Sequence, residues 1–152
     1  MSTYLLPAVG PFVNLREDDR SLLASYGEFI PVQEGGVLIT EGDIQPNLYC
    51  ILSGELQVQR TSGEQAFVLA HLFPGESVGE MAIFDQAPAS ASVLAVKFSQ
   101  VWRISYEQFM EFVNDNPNSS VKVLVSLLST LSKRLRQIDP SALRFAYKTE
   151  NA

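Results

Sequence analysis

The rhythm of apolar and polar positions changes twice along this chain. Between Asn14 and Gly27, the residues Leu22, Leu23 and Tyr26 recur at the spacing of one helix face. Asn14, with Glu17 three positions on, has the form of a capped helix start, and Gly27 supplies the stop. From residue 29 to residue 104 the pattern becomes one of short strand-like runs, at 37–40, 48–52, 55–60, 67–73, 90–96 and 101–104. Gly35-Gly36, Gly42-Asp43, Ser53-Gly54, Ser62-Gly63 and Pro74-Gly75 punctuate them as turns. Strands of this length and spacing predict a mainly β fold, an antiparallel sandwich or jelly roll.

Helical periodicity returns at Ser105, which with Gln108 has the pattern of a capping box, and Tyr106, Phe109, Met110 and Val113 form one apolar side. After a turn at 114–117, Val121, Leu124, Leu128, Leu131, Leu135 and Ile138 recur at intervals of 3, 4, 3, 4 and 3. That is a heptad seam, too short to stand as an isolated coiled coil, so it needs a surface: the roll, a second copy of the chain, or both. Val125 and Leu127 widen the face and favour packing on both. Pro140 breaks the helix, and Leu143, Ala146 and Tyr147 suggest one or two further turns. The expected layout is a single domain over 1–152, with an N-terminal helical part at 1–27, a β-roll at 28–104 and C-terminal helices at 105–148.

Composition narrows the classes of function. At 46% hydrophobic and 18% charged the chain is globular in character, and no stretch approaches the roughly 20 apolar residues of a membrane span. The first residues lack the basic front of a signal peptide, so a cytoplasmic location is the expectation. Cys50 lies in an apolar run and reads as a small core residue. The net charge of −6 argues against wholesale nucleic-acid binding, although residues 118–148 hold 6 basic side chains against one acidic. Metal-dependent enzymes built on a similar roll need several His and carboxylate ligands, whereas this chain has a single histidine, His71. With no nucleophile beside a base and no phosphate-binding loop of the Walker type, the chain is expected to be neither an enzyme nor a holder of metal or cofactor.

Candidate chemistry concentrates at 73–95. Gly79 followed by Glu80 opens a short helix-like turn through Met81, Ala82 and Ile83, and Pro88, Ala89, Ser90, Ala91, Ser92 and Val93 lead into a strand. A glycine lets a ligand approach the backbone, and the first N–H groups of a helix are free to meet an anion. The whole run resembles the phosphate-binding cassette of the cyclic-nucleotide-binding domain family, which includes catabolite activators and protein kinase A regulatory subunits. The segments 36–43 and 48–58 resemble the same family's roll.

The resemblance implies a regulatory domain that binds cAMP or cGMP, with Gly79, Glu80, Met81, Ala82, Ala89, Ser90 and Ser92 around the ligand. Glu80 would accept the ribose 2′-hydroxyl, and N–H groups at Ala82 and near Ser90 would face the phosphate. Glu80 as a cap of its own turn is the competing reading. Ala89 stands where the family carries the arginine that pairs with the phosphate, and no Lys or Arg lies between Arg60 and Lys97. A charged hydrogen bond is worth about 1.5–3 kcal/mol against about 0.5–1.5 for a neutral one, so its loss removes about one to two decades of affinity. Two functions stay open: a sensor with a modified phosphate site, and a ligand-independent interaction or dimerisation module. The resemblance also implies pairing of two copies through helix 118–138 or contact with another protein. The 12 residues after Pro140 are too few for the DNA-binding domain that transcription factors of this superfamily carry there.

Overall fold

The computed structural model describes residues 5–137. Within them, eight strands form two four-stranded antiparallel sheets, flanked by an N-terminal helix and two C-terminal ones. The first sheet has the order β1 (Glu28–Val32), β8 (Ser99–Ser105), β3 (Asn47–Ser53), β6 (Ser77–Val78). The second has the order β2 (Val37–Ile39), β7 (Ser92–Ala95), β4 (Leu56–Ser62), β5 (Gln65–Leu72). This is the β-roll that the turn spacing predicts. Two strands escaped the sequence pattern. β1 contains Pro31, which an edge strand tolerates because the missing N–H is not needed on its open side. β6 is two residues long, too short to show alternation.

The first sheet is a middle layer, buried on both faces. In β3, Leu48 and Cys50 face the helices while Tyr49 and Ile51 face the second sheet, and in β8 Trp102 and Ile104 alternate with Val101 in the same way. Register aligns the pairs, Leu48 opposite Ile104 and Cys50 opposite Trp102. Burial on both faces explains why β3 reads as a continuous apolar run rather than an alternating one. The Trp102 indole is fully buried, meets Phe12 edge-on at 5.8 Å and donates to the Ala24 carbonyl at 3.2 Å. Burial around it, reinforced by Glu80 nearby, pushes the Cys50 thiol up to about 12, as a core cysteine requires.

The helices depart from the sequence reading in detail. α1 (Glu17–Tyr26) starts after Arg16 without a side-chain cap, and Asn14 instead reaches Ser126 at 3.4 Å. Three acidic residues in its first turn, Glu17, Asp18 and Asp19, meet the positive end of the helix dipole directly. Its inward face is Leu23 and Ala24, while Leu22 is exposed. Gly27 does end the helix, but with φ −109 it is no left-handed cap. A Cβ there would lie 2.4 Å from the Arg103 carbonyl and 2.7 Å from the Trp102 ring, so the glycine is required by packing.

α2 (Tyr106–Asp115) has the reciprocal capping box between Ser105 and Gln108. It buries Phe109 and Phe112, the second of which the spacing argument left out. α3 (Pro117–Arg136) carries the largest difference, for it has two apolar faces. Val123 and Leu127 are buried against the core together with Ser120 and Ser126, whereas Val121, Leu128 and Leu135 of the heptad seam are exposed. Leu124 and Leu131 lie half-buried between them. Ile138, Pro140 and the turns suggested around Leu143, Ala146 and Tyr147 lie outside the described residues. Among the described residues no helix is long and apolar enough to cross a membrane.

Candidate functional site

The segment between β6 and β7 wraps a cavity of about 340 Å³ against the second sheet. It leaves β6 at Gly79, makes a single 3-10 turn at Glu80–Ile83 and returns through residues 84–91 to β7. The helix-like start is therefore one tight turn rather than an α-helix. Ile83, fully buried, anchors that turn in the helix-side core, and Phe84 meets Phe109 of α2 edge-on at 6.4 Å. The far end is tied to the 42–44 corner: Gly42 N–H donates to the Ala89 carbonyl and Ala89 N–H to the Asp43 carbonyl, both at 2.8 Å, and Ile44 bridges to Pro88.

Gly79 has two reasons to be glycine. Its φ is +86, and a Cβ would lie 2.3 Å from the Asn47 carbonyl oxygen and 2.7 Å from the Gln45 amide. Both the dihedral and the close approach exclude a side chain.

Glu80 is 3% exposed and faces α3 rather than the cavity. Ser77 Oγ donates to its Oε1 at 2.6 Å, and Arg134 Nη1 reaches the same oxygen at 2.7 Å. Arg134 Nη2 also donates to the Ser77 carbonyl at 2.7 Å. The guanidinium thus clasps the buried carboxylate and the adjoining main chain together. A carboxylate this buried is stable only with such partners.

The cavity itself has an apolar floor of Ile39, Val58, Val78 and Val93, with residues 87–91 forming one wall. Gly79, Gln45 and Asp85 complete the lining, which holds neither Lys nor Arg. Of the residues singled out from sequence, Gly79, Ala89 and Ser90 meet at this cavity. Met81 and Ala82 lie in the 3-10 turn. Ser92 points elsewhere, its hydroxyl accepting the Glu41 N–H at 2.9 Å. His71 lies on β5, 3.5 Å from Glu55 and stacked near Phe73. No group of three or more His, Cys, Asp or Glu among the described residues is arranged to hold a metal.

Four participants were missed: Arg134, Ser77, Asp85 and Gln45. Arg134 stands seven residues from Leu127 and fourteen from Ser120, on the stripe of α3 that the structure turns inward, a choice the sequence pattern does not reveal. In the sequence it is one of the 6 basic side chains of residues 118–148. For Ser77, Asp85 and Gln45 nothing in the local pattern distinguishes them from ordinary turn residues.

A β-roll with helices at both ends and a walled cavity between β6 and β7 is the architecture of a family of regulatory domains. The chain belongs to the cyclic nucleotide-binding domain family, whose description matches residues 29–116. It is 31% identical over 129 residues to the cyclic AMP receptor protein of Thermus thermophilus, covering 84% of this chain and 58% of that protein. Similarity to the Pycsar effector protein XpPycTIR of Xanthomonas perforans is 29%, over 78% of this chain and 38% of that one. Among solved structures, the Thermus thermophilus catabolite activator protein superposes with a TM-score of 0.77 at 28% identity, over 92% of this chain and 63% of that chain. The regulatory domain of Toxoplasma gondii PKA, crystallised with cAMP, gives 0.63 at 27% identity, over 74% and 43%. The chain therefore spans 58% and 38% of the two curated relatives' lengths.

Proposed function

We propose that this chain is a non-catalytic cytoplasmic sensor domain in which a small molecule entering the cassette cavity is reported through α3, with cAMP and cGMP as weak ligands. One observation carries the reading: Arg134 of α3 is bonded to both Glu80 and the Ser77 carbonyl, so a rearrangement of the cassette breaks or shifts contacts to the last turn of the helix. Glu80 does not line the cavity, so a ribose hydroxyl reaches its carboxylate only if the cassette turns and releases the contacts of Ser77 and Arg134 to Oε1. Binding of the sugar and retention of the helix therefore oppose each other. The cyclic phosphate, for its part, meets backbone N–H groups and Ser90 but no cation, which accounts for weakness.

Calorimetry with cAMP and cGMP tests this. Weak heat is expected from the native chain and a gain of about one to two decades in affinity from Ala89→Arg. Absence of heat from both chains would remove nucleotides from the account.

A second reading is favoured by the outward seam of α3. Val121, Leu128 and Leu135 are 59%, 64% and 59% exposed and stand one heptad apart. This spacing suits a matching helix, from a second copy of the chain or a protein partner. Light scattering should give twice the monomer mass for the native chain and the monomer mass for Leu128→Asp. A monomer in both would leave the seam to a different protein.

A further inference from the structure

We infer that the cassette cavity prefers a small organic cation with an apolar body over any phosphate. This rests on the sensor reading above and names its ligand class. The volume of about 340 Å³ takes a single ring with a short chain with room to spare. Ile39, Val58, Val78 and Val93 offer that ring a continuous aliphatic floor.

The polar groups at the lining are all acceptors or neutral. Gln45 is spent on the main chain, its Nε2 donating to the Asn47 carbonyl at 2.6 Å and its Oε1 accepting the Asn47 N–H at 2.8 Å. Ser90 has no side-chain hydrogen bond among the described residues, and Asp85 has no basic partner there; both line the cavity and are exposed. The cations that could have served an anion are committed elsewhere, Arg134 to Glu80 at 2.7 Å and Arg60 to Glu41 at 3.6 Å. An anion would enter facing Asp85 with nothing to neutralise it, whereas a protonated amine finds a carboxylate and a hydroxyl. The chain's net charge of −6 adds a long-range field of the same sign.

The test titrates the isotope-labelled full chain with benzylamine, benzyl alcohol and cAMP, following amide shifts at Asp85, Ser90 and Val93, with hydrogen exchange measured across 117–136. Benzylamine, protonated at neutral pH, should bind about fivefold tighter than benzyl alcohol and tighter than cAMP. Asp85→Asn, a change at an exposed position, should bring the amine down to the level of the alcohol. The ligand class is overturned if cAMP binds tighter than the amine, if Asp85→Asn leaves the amine unaffected, or if no cavity amide moves. If the amine binds as described but exchange across 117–136 is unchanged, the ligand class stands and the sensor reading falls.

Discussion

The two sheets of the roll lead different lives. The β1-β8-β3-β6 sheet is covered on both sides, by helices on one face and by its sister sheet on the other, and holds Trp102, Ile104, Leu48 and Ile51 fully buried. The β2-β7-β4-β5 sheet is covered on its inner face alone. Its edge strand β5 is exposed along almost its whole length, Phe67, Val68 and Leu69 included, and its cavity is walled by a loop. Dense packing gives rigidity and a large penalty for any lost side chain, whereas a lightly covered sheet leaves room for a ligand. The molecule thus separates the half that holds the fold from the half that carries the cavity, and the segment 77–83 joins them.

Five changes would break or sharpen that contrast. Phe112→Ala, in the helix-side core, should cost about 3–5 kcal/mol in a urea melt, whereas Leu69→Thr on β5 should stay within about 0.5 kcal/mol. Comparable losses at both sites would erase the distinction. Gly79→Ala should cost about 1–3 kcal/mol for its dihedral alone, with a further loss because the Asn47 carbonyl must move. Arg134→Ala leaves Glu80 buried with Ser77 as its remaining hydrogen-bond partner; with the arginine side chain 43% exposed, a loss of about 1–2 kcal/mol is expected. In the background of Glu80→Gln the same arginine change should cost much less, and equal costs in both backgrounds would mean that the two residues do not act as a pair.

The smallest effect concerns acid. The Ser119 hydroxyl, helped by Lys122 3.1 Å away, holds the Asp19 carboxyl below its ordinary value against the opposing effect of burial. A carboxyl depressed in the folded chain contributes stability that is fully present above its unfolded value of 3.8 and is lost as pH falls through the folded value. Melts taken downward from pH 5 should therefore show native chain losing slightly more stability than Asp19→Asn. Parallel curves would show that this α1–α3 contact contributes nothing.

How far local pattern carried depends on what each element packs against. The capping box at Ser105 and Gln108 was legible because its partners lie within one turn. Val37, Leu56 and Val93 were placed in strands correctly because each run lies between clear turns. The Asn14 start failed because Asn14 has a tertiary partner in Ser126, 112 residues away, in place of a local one. Phe112 was overlooked because the side chosen for α2 began from Tyr106, which is 37% exposed.

By itself the sequence determined the β-roll, its flanking helices, the glycine at the cassette turn and the absence of any basic residue between Arg60 and Lys97. Each of these is signalled by residue type and spacing within a short stretch of chain, even where the strands so marked pair far across it, as Glu28 does with Arg103. Tertiary structure alone decided which stripe of α3 turns inward, and with it that Arg134 meets Glu80 across 54 residues of chain. A two-faced helix carries the same heptad whichever side the body takes, so the choice waits for the core that Trp102 and Phe112 build.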